Sequence, residues 1–368
     1  MRFLFLMPRL HNNYYESLKE LRAHDHEVQA AVLYVLPTER HDLIQPIVLG
    51  YSRLFRGIKR LVHRGTTSLL KDRFELRYGF PPIVRLWRVM RQSRAEVVVV
   101  KNIDSSFSLL SLLFARLLRK KSVIHLQIEK YRKQPKSGLV AFADRWFDAK
   151  VITPLLGDPR YPNENDNLYY IPFSHTLDKA PEQRVGRTGP IRILCVAKFQ
   201  ARKNQQLLLQ ALQKMKPDFA YELHLVGQRG EPEQLERIQA LIREISVEMR
   251  VSIRIDLSWS DMQAEYRWAD LYVLPSAREP AAVSILEAMS FGLPVICSDQ
   301  NGTKCYIVEG ENGSVFRSGD CEDLVRALSA VAPSRERLLT MGARSRALVE
   351  ERHSPEKTYE SFMRVVSL

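Results

Sequence analysis

The strongest constraint on the fold is a series of short, almost uninterrupted apolar runs. In the first half they read "RFLFLM", "VQAAVLYV", "EVVVVKN", "SVIHLQI" and "AKVITP", and in the second "IRILCVAK", "YELHLVG", "VSIRIDL", "ADLYVLPS" and "PVICSD". A strand covered on one face alternates apolar and polar residues, whereas one covered on both faces is apolar throughout. Runs such as Val97–Val100 are therefore expected in parallel sheets buried between helices. Amphipathic stretches such as "NQQLLLQALQKM" and "PEQLERIQALIREIS" lie between the runs and supply those helices. Alternation of this kind builds doubly wound α/β sheets.

The polar segment "LDKAPEQRVGRTGP", residues 177–190, holds two prolines and two glycines and precedes a fresh strand. It is expected to divide the chain into residues 1–180 and 181–368, two Rossmann-like domains whose parallel sheets would face a central cleft. The last helix is expected to pack back on the first domain. A chain of 368 residues is long enough for two such cores. In open sheets of this type, ligands sit beyond the carboxyl ends of the strands. The apolar run before Pro8 and Arg9 is too short for a leader, and no stretch approaches a membrane span. Cys195, Cys297, Cys305 and Cys321 have neither C-x-x-C spacing nor histidine neighbours at zinc spacing. They are expected to be reduced thiols of a cytoplasmic protein, with no metal site.

The charge is unevenly divided. Residues 1–180 carry 30 Lys and Arg against 17 Asp and Glu, a balance of +13, and residues 181–368 carry 25 of each. The excess therefore belongs to the first half, and it argues for an acidic partner there. It concentrates in residues 51–94, where 12 basic residues face only Asp72 and Glu75. Leu54, Phe55, Ile58, Leu61 and Val62 fall at helical spacing beside Arg53, Arg56, Lys59, Arg60 and Arg64. An apolar stripe with basic flanks suits an anionic membrane surface, here the inner leaflet of the cytoplasmic membrane. A helix packed on its own domain would give the same stripe. The window lacks interleaved aromatic residues or a known nucleic-acid module, so no nucleic-acid partner is expected.

The second half contains a compact chemical pattern. In "REPAAVSILEAMSFGLPVI", Glu279 lies in a loop after a strand and Glu287 lies within a helix that Gly292 and Pro294 end. If the helix starts between Ala281 and Ser284, the backbone N–H groups of Ala281, Ala282 and Val283 point at one spot. The positive end of the helix dipole backs them, an arrangement that favours phosphate. Glu287 lies on the same helix face as Val283 and can accept bonds from a ribose. In "VAKFQARKN", a basic turn places Lys198, Arg202 and Lys203 at the same sheet edge. Two cations there can neutralise a departing diphosphate without a metal. "LVGQRG" adds a strand ending in a turn at Gly227.

These pieces, taken in order with "ADLYVLPS" and "NGTKCYIVEGENGSVF", resemble the retaining GT-B glycosyltransferases of glycosyltransferase family 4. The resemblance covers the second half well. It implies a nucleotide-sugar donor, most often a UDP-sugar, with Lys198 and Lys203 on the diphosphate, Glu287 on the ribose and Glu279 on the sugar. Lys198 stands where arginine is usual, Ala282 where glycine is usual, and Cys305 at the position of an acid. The first half resembles the family more loosely, through "HDHEV" and through His125 at the end of "SVIH". The resemblance implies that His125 lies near the reacting sugar, contacting it or positioning the acceptor hydroxyl.

The expected activity is a metal-independent hexosyltransferase acting on a glycan or lipid-linked acceptor of the cell envelope, with no required cofactor. The expected catalytic residues are His125, Glu279 and Lys203. A sugar-nucleotide epimerase or phosphorylase of the same architecture is the rival within enzymes. A non-catalytic GT-B protein that binds nucleic acid or membrane is the rival outside them.

Overall fold

The structure is a computed structural model that describes residues 1–36, 39–62, 74–131, 137–158, 160, 167–178, 184–215, 220–244, 250–332 and 334–368. Arg64 and Asp72 of the basic window and the expected junction at 180/181 lie outside the described residues, as does the side chain of Val62. The chain divides into two compact units, Met1–Pro172 with Pro355–Leu368, and Phe173–Ser354.

In the first unit the strands are β1 (Arg2–Met7), β2 (Glu27–Val32), β3 (Ile47–Val48), β4 (Val97–Lys101), β5 (Lys121–His125), β6 (Glu129–Tyr131), β7 (Ala149–Thr153), β8 (Leu155–Gly157) and β9 (Leu168–Tyr170). The main sheet has the order β3-β2-β1-β4-β5-β7-β9, and its pairings are parallel. β6 and β8 form a separate pair. The second unit contains β10 (Ile191–Val196), β11 (Tyr221–Gly227), β12 (Arg250–Ile255), β13 (Leu271–Leu274), β14 (Val295–Ser298) and β15 (Gly313–Phe316). Their order is β12-β11-β10-β13-β14-β15, again parallel. In both sheets the order reverses beside the first strand, which is the Rossmann arrangement.

The apolar runs are explained by burial on both faces. In β1, Leu4 and Leu6 join one core cluster while Phe3, Phe5 and Met7 join another. In β4, Val98 and Val100 face the first cluster, and Val97 and Val99 the second. The second unit repeats this: Ile193 and Cys195 of β10 lie in one cluster and Leu194 in the other. Each buried aliphatic side chain contributes about 1.5–3 kcal/mol, so removing one face of such a sheet is ruinous.

The final helix, Pro355–Ser367, belongs to the first unit. Val365 and Val366 enter the cluster of Phe3 and Phe5, the Tyr359 ring stacks on His24 at 3.9 Å, and Phe362 lies 6.0 Å from Phe3. One expectation is corrected within the basic window. Phe55 is not part of an outward stripe: it is buried among Tyr51, Phe74 and Phe80, with ring centroids at 5.1, 5.9 and 6.1 Å. The helix Arg53–Val62 turns that one large ring inward and leaves Leu54, Ile58 and Leu61 exposed. Among the described residues, no helix is long and apolar enough to cross a membrane.

Candidate functional site

The carboxyl edge of the second sheet gathers the expected residues of that half. β10 ends at Val196, and the next turn carries the exposed Lys198. A single 3₁₀ turn, Ala201–Lys203, follows, and the helix Gln205–Lys214 starts after Asn204, whose φ of 55° is left-handed. The turn is tied across the edge, because Ala277 N–H donates to the Arg202 carbonyl at 2.8 Å. Buried Gln205 donates from Nε2 to the Ala197 and Lys198 carbonyls at 3.4 and 3.3 Å, which holds the start of the basic turn.

The glycines of "LVGQRG" serve this packing. A Cβ on Gly227 would lie 1.9 Å from the Ala197 oxygen, and one on Gly230 would lie 1.9 Å from the Phe199 oxygen. The backbone after β11 therefore runs directly against the basic turn, at a distance that only glycine permits.

Glu279 sits opposite, in the loop after β13. Its backbone N–H donates to the Gln300 carbonyl at 3.1 Å, and its carbonyl accepts from Gly302 at 2.9 Å. The preceding Arg278 is left-handed at φ 53°, a second non-glycine residue held in a costly conformation at this edge. The side chain of Glu279 is only 9% exposed. Arg202 Nη1 donates to its Oε2 at 2.6 Å, and Lys203 Nζ donates to the same oxygen. Burial alone would raise the Glu279 carboxyl, but Lys203 and Arg202 outweigh it and hold the group below the usual carboxylate range. Burial moves the Lys203 ammonium below its ordinary value, against the pull of Glu279. Both cations use one carboxylate oxygen, so Oε1 accepts from neither of them.

The helix expected after Glu279 spans Val283–Ser290, with Ala282 as its N-cap residue. The Ala282 N–H is not directed outward: it meets Thr303 Oγ1 at 3.3 Å, and Ala282 itself is buried. Thr303 is held in turn by Asn301 Oδ1 at 2.8 Å. Ala281 and Val283 are half-buried. One turn further, Glu287 accepts from the Tyr266 hydroxyl at 2.6 Å. Tyr272 donates to Ser284 Oγ at 2.7 Å and packs under the same helix start. Burial pushes both tyrosine hydroxyls far above their usual range, so they act as fixed donors. Sequence reasoning placed neither tyrosine nor Thr303 at the site. Tyr272 and Thr303 at least fall within "ADLYVLPS" and "NGTKCYIVEGENGSVF", whereas Tyr266 lies outside every motif and carries no signal in the sequence.

In the first unit, His125 ends β5 and is 9% exposed. Its ring meets Tyr14 edge-on at 5.2 Å. Burial, together with the Lys101 charge, pushes its imidazole down to about 3, so it is neutral at physiological pH. Lys101 is its register partner on β4. The structure therefore brings together Lys198, Arg202, Lys203, Gly227, Glu279, Ala281, Ala282, Val283 and Glu287 along one sheet edge, and it places His125 at the corresponding edge of the other unit. Of the cysteines, Cys195 and Cys297 are buried, Cys305 and Cys321 half-buried, and all four are free thiols. Burial pushes the Cys195 thiol up to about 12.

A protein from Anabaena solved with UDP and glucose superposes over 100% of this chain and 99% of its own, with a TM-score of 0.74 at 16% identity. The fold is accordingly GT-B, with two Rossmann-like units each built on a parallel sheet. An uncharacterized glycosyltransferase of Haemophilus influenzae is 28% identical over 54% of this chain and 55% of its own length. A lipopolysaccharide 1,6-galactosyltransferase of Salmonella typhimurium is 31% identical over 36% of this chain and 37% of its own. The chain thus matches about half or less of the length of these relatives. Residues 178–347, the segment that carries every second-unit group described above, match the family described as Glycosyl transferases group 1.

Proposed function

We propose that this protein is a retaining glycosyltransferase that moves a sugar from a nucleotide diphosphate, most often UDP, to a glycan or lipid-linked acceptor of the cell envelope. The observation that carries the reading is the Arg202–Lys203–Glu279 cluster at the carboxyl edge of the second sheet. It has a net charge of +1, and the exposed Lys198, which has no ion-pair partner among the described residues, adds a further cation beside it. A diphosphate supplies the missing negative charge. Charge-assisted bonds from two or three basic groups are strong enough to stabilise the leaving group without requiring a metal.

We assign the roles in keeping with the geometry. Lys198, Arg202 and Lys203 hold the diphosphate against the start of the Val283–Ser290 helix, where the Ala281 and Val283 amides contribute. Glu287, oriented by Tyr266, accepts from the ribose hydroxyls. Glu279 keeps Oε2 on the two cations and offers Oε1 to a sugar hydroxyl, so one side chain links the leaving group to the sugar. The acceptor oxygen then forms its bond to the anomeric carbon as the bond to the departing phosphate breaks. The hydroxyl proton passes to that phosphate oxygen on the same face. His125, neutral and fixed by Tyr14, acts as a hydrogen-bonding group at the acceptor hydroxyl rather than as a cation.

Several comparisons support this reading. The match to Glycosyl transferases group 1 spans the cluster, the Anabaena structure was solved with UDP and glucose, and the Salmonella typhimurium relative is named for lipopolysaccharide. The exposed Leu54, Ile58 and Leu61, spaced along one helix face beside exposed Arg53, Arg56 and Arg60, support docking on an anionic inner leaflet. The direct test is a thermal-shift screen against nucleotide sugars, followed by an assay for donor breakdown. UDP and its sugars raise the melting temperature of the wild type and not of Lys203→Met. Equal stabilisation of both proteins refutes the assigned site.

A further inference from the structure

The carboxyl edge of the first sheet carries a charge that its surroundings do not balance. Lys101 is the last residue of β4, on the sheet face of Val97 and Val99, and it is half-buried. Among the described residues its ammonium has no hydrogen-bonded or ion-paired partner. The charged and titratable groups that interact with it electrostatically are Arg9, Glu39, His11 and His125, the last its register partner. Glu39 is already engaged: it lies 3.1 Å from Arg9 and 3.7 Å from His41, and accepts from Leu36 N–H at 3.0 Å. Burial and the Lys101 charge hold His11 at about 2 and His125 at about 3, so both rings stay neutral and neither competes as a cation. Burial and Arg9 bring Lys101 itself down to about 7, with Glu39 opposing only weakly. With Lys101 protonated, the charges of Lys101, Arg9 and Glu39 sum to one positive charge, with neutral donor rings beside it. A partly desolvated charge of this kind is stabilised when an anion neutralises it.

We infer that this edge is a subsite for an oxyanion borne by the acceptor, with Lys101 as its cation and His11 as a neutral donor. That the anion belongs to the acceptor rests on the glycosyltransferase reading above; that the edge takes an anion at all does not. Lys101 lies in register with His125, so an oxyanion on Lys101 places the rest of its carrier beside that ring. The subsite therefore selects acceptors carrying a phosphate or similar group near the accepting hydroxyl over neutral sugars.

The test is competitive acylation of the full chain at pH 7, with modification of each lysine read by mass spectrometry. Inorganic phosphate, compared with chloride at equal ionic strength, slows acylation of Lys101 about tenfold, as expected for one charge-assisted contact. Glucose gives no protection, and glucose 6-phosphate protects at lower concentration than inorganic phosphate. UDP, in a parallel sample, protects Lys203. Equal rates in phosphate and chloride overturn the subsite, and glucose 6-phosphate no better than inorganic phosphate overturns its assignment to the acceptor. Loss of the UDP effect alone counts against the donor site and leaves the Lys101 result standing. The Lys101→Met variant separates a binding role from a structural one. Without anions it is at least as stable as the wild type, because a partly desolvated charge has been removed, and phosphate no longer raises its melting temperature. A Met variant that is destabilised, or still responds to phosphate, refutes the assignment.

Discussion

The two sheet edges are built from the same topology and solve opposite electrostatic problems. At the edge of the second unit, Arg202 and Lys203 converge on one oxygen of Glu279. Opposite charges there hold one another ionised. At the edge of the first unit, Lys101 and two neutral histidines share a site with too little negative charge. On the readings proposed above, one edge is pre-paired and would exchange partners when a ligand arrives, and the other would take its counter-charge from the ligand. Charged side chains at a sheet edge therefore disclose a ligand only when their pairing is known, and their number alone says little.

The largest expected effect lies in the paired edge. Glu279→Gln removes the negative partner of two cations and leaves an amide that cannot hold both. The prediction is a fall in turnover of about 10²–10³, or roughly 3–4 kcal/mol of transition-state stabilisation, comparable with loss of one preorganised group. Donor affinity falls much less, since the cations remain. A steady-state assay separates the two: a loss confined to KM refutes the role given to Oε1.

The backbone contact beneath that edge gives the next test. Gly227→Ala forces a methyl group to within 1.9 Å of the Ala197 carbonyl, with no flexible side chain to yield. The backbone after β11 must move away from the basic turn. A stability loss of about 1–3 kcal/mol is expected in denaturant unfolding, together with a lower melting temperature for the second unit. An unchanged midpoint shows that the turn is loose, and the preorganisation argument fails with it.

What the sequence discloses and what it hides follow from the same contrast. Doubly buried strands announce themselves because every position is apolar, as in "VVVV" of β4. Lys198, Arg202, Lys203 and both glutamates were legible because their order along the chain matches their order along one sheet edge. Short strands such as β3 and β9, of two and three residues, carry no period to read. Lys101 was hidden because a lysine ending an apolar strand looks like a solvated terminus, and nothing local tells whether a counter-charge reaches it. Phe55 was assigned to the wrong side because helical spacing gives a face but not which face looks inward. Three other aromatic residues, two of them distant in sequence, decide it.

A pH experiment sharpens the contrast. His125 is held neutral in the folded protein down to about 3, whereas in the unfolded chain it takes up a proton near its ordinary value of about 6.5. The unfolded state then binds more protons as pH falls, so stability declines on acidification through that window. The Glu279 carboxyl, held below its usual range, has the same sign, but its contribution is lost only at lower pH, as that carboxyl is protonated. Between pH 6 and 5 the slope should therefore come from histidine, at ~1.4 kcal/mol per pH unit for each ring kept neutral. Denaturant midpoints at the two pH values, compared between wild type and His125→Phe, measure it. A variant with the wild-type slope refutes a neutral, buried His125.

The smallest effect, and the one most dependent on conditions, concerns the helix Arg53–Val62. Its inward side is closed by Phe55, so substitutions at Leu54 and Leu61, 68% and 72% exposed, should leave stability within about 0.5 kcal/mol. On vesicles containing anionic lipid, those two side chains and the exposed arginines act together. Leu54→Glu with Leu61→Glu removes apolar insertion and adds repulsion, and binding should weaken at least tenfold at moderate salt. Arg56→Gln alone should weaken it only several-fold, since one basic residue near the surface contributes about 1 kcal/mol. The order of the two effects carries the argument. If the arginine change weakens binding more than the double leucine change, attraction is purely electrostatic, and the exposed leucines need another explanation. If neither variant departs from wild type, this face does not meet a membrane, and the basic excess of the first unit serves only the anion at Lys101.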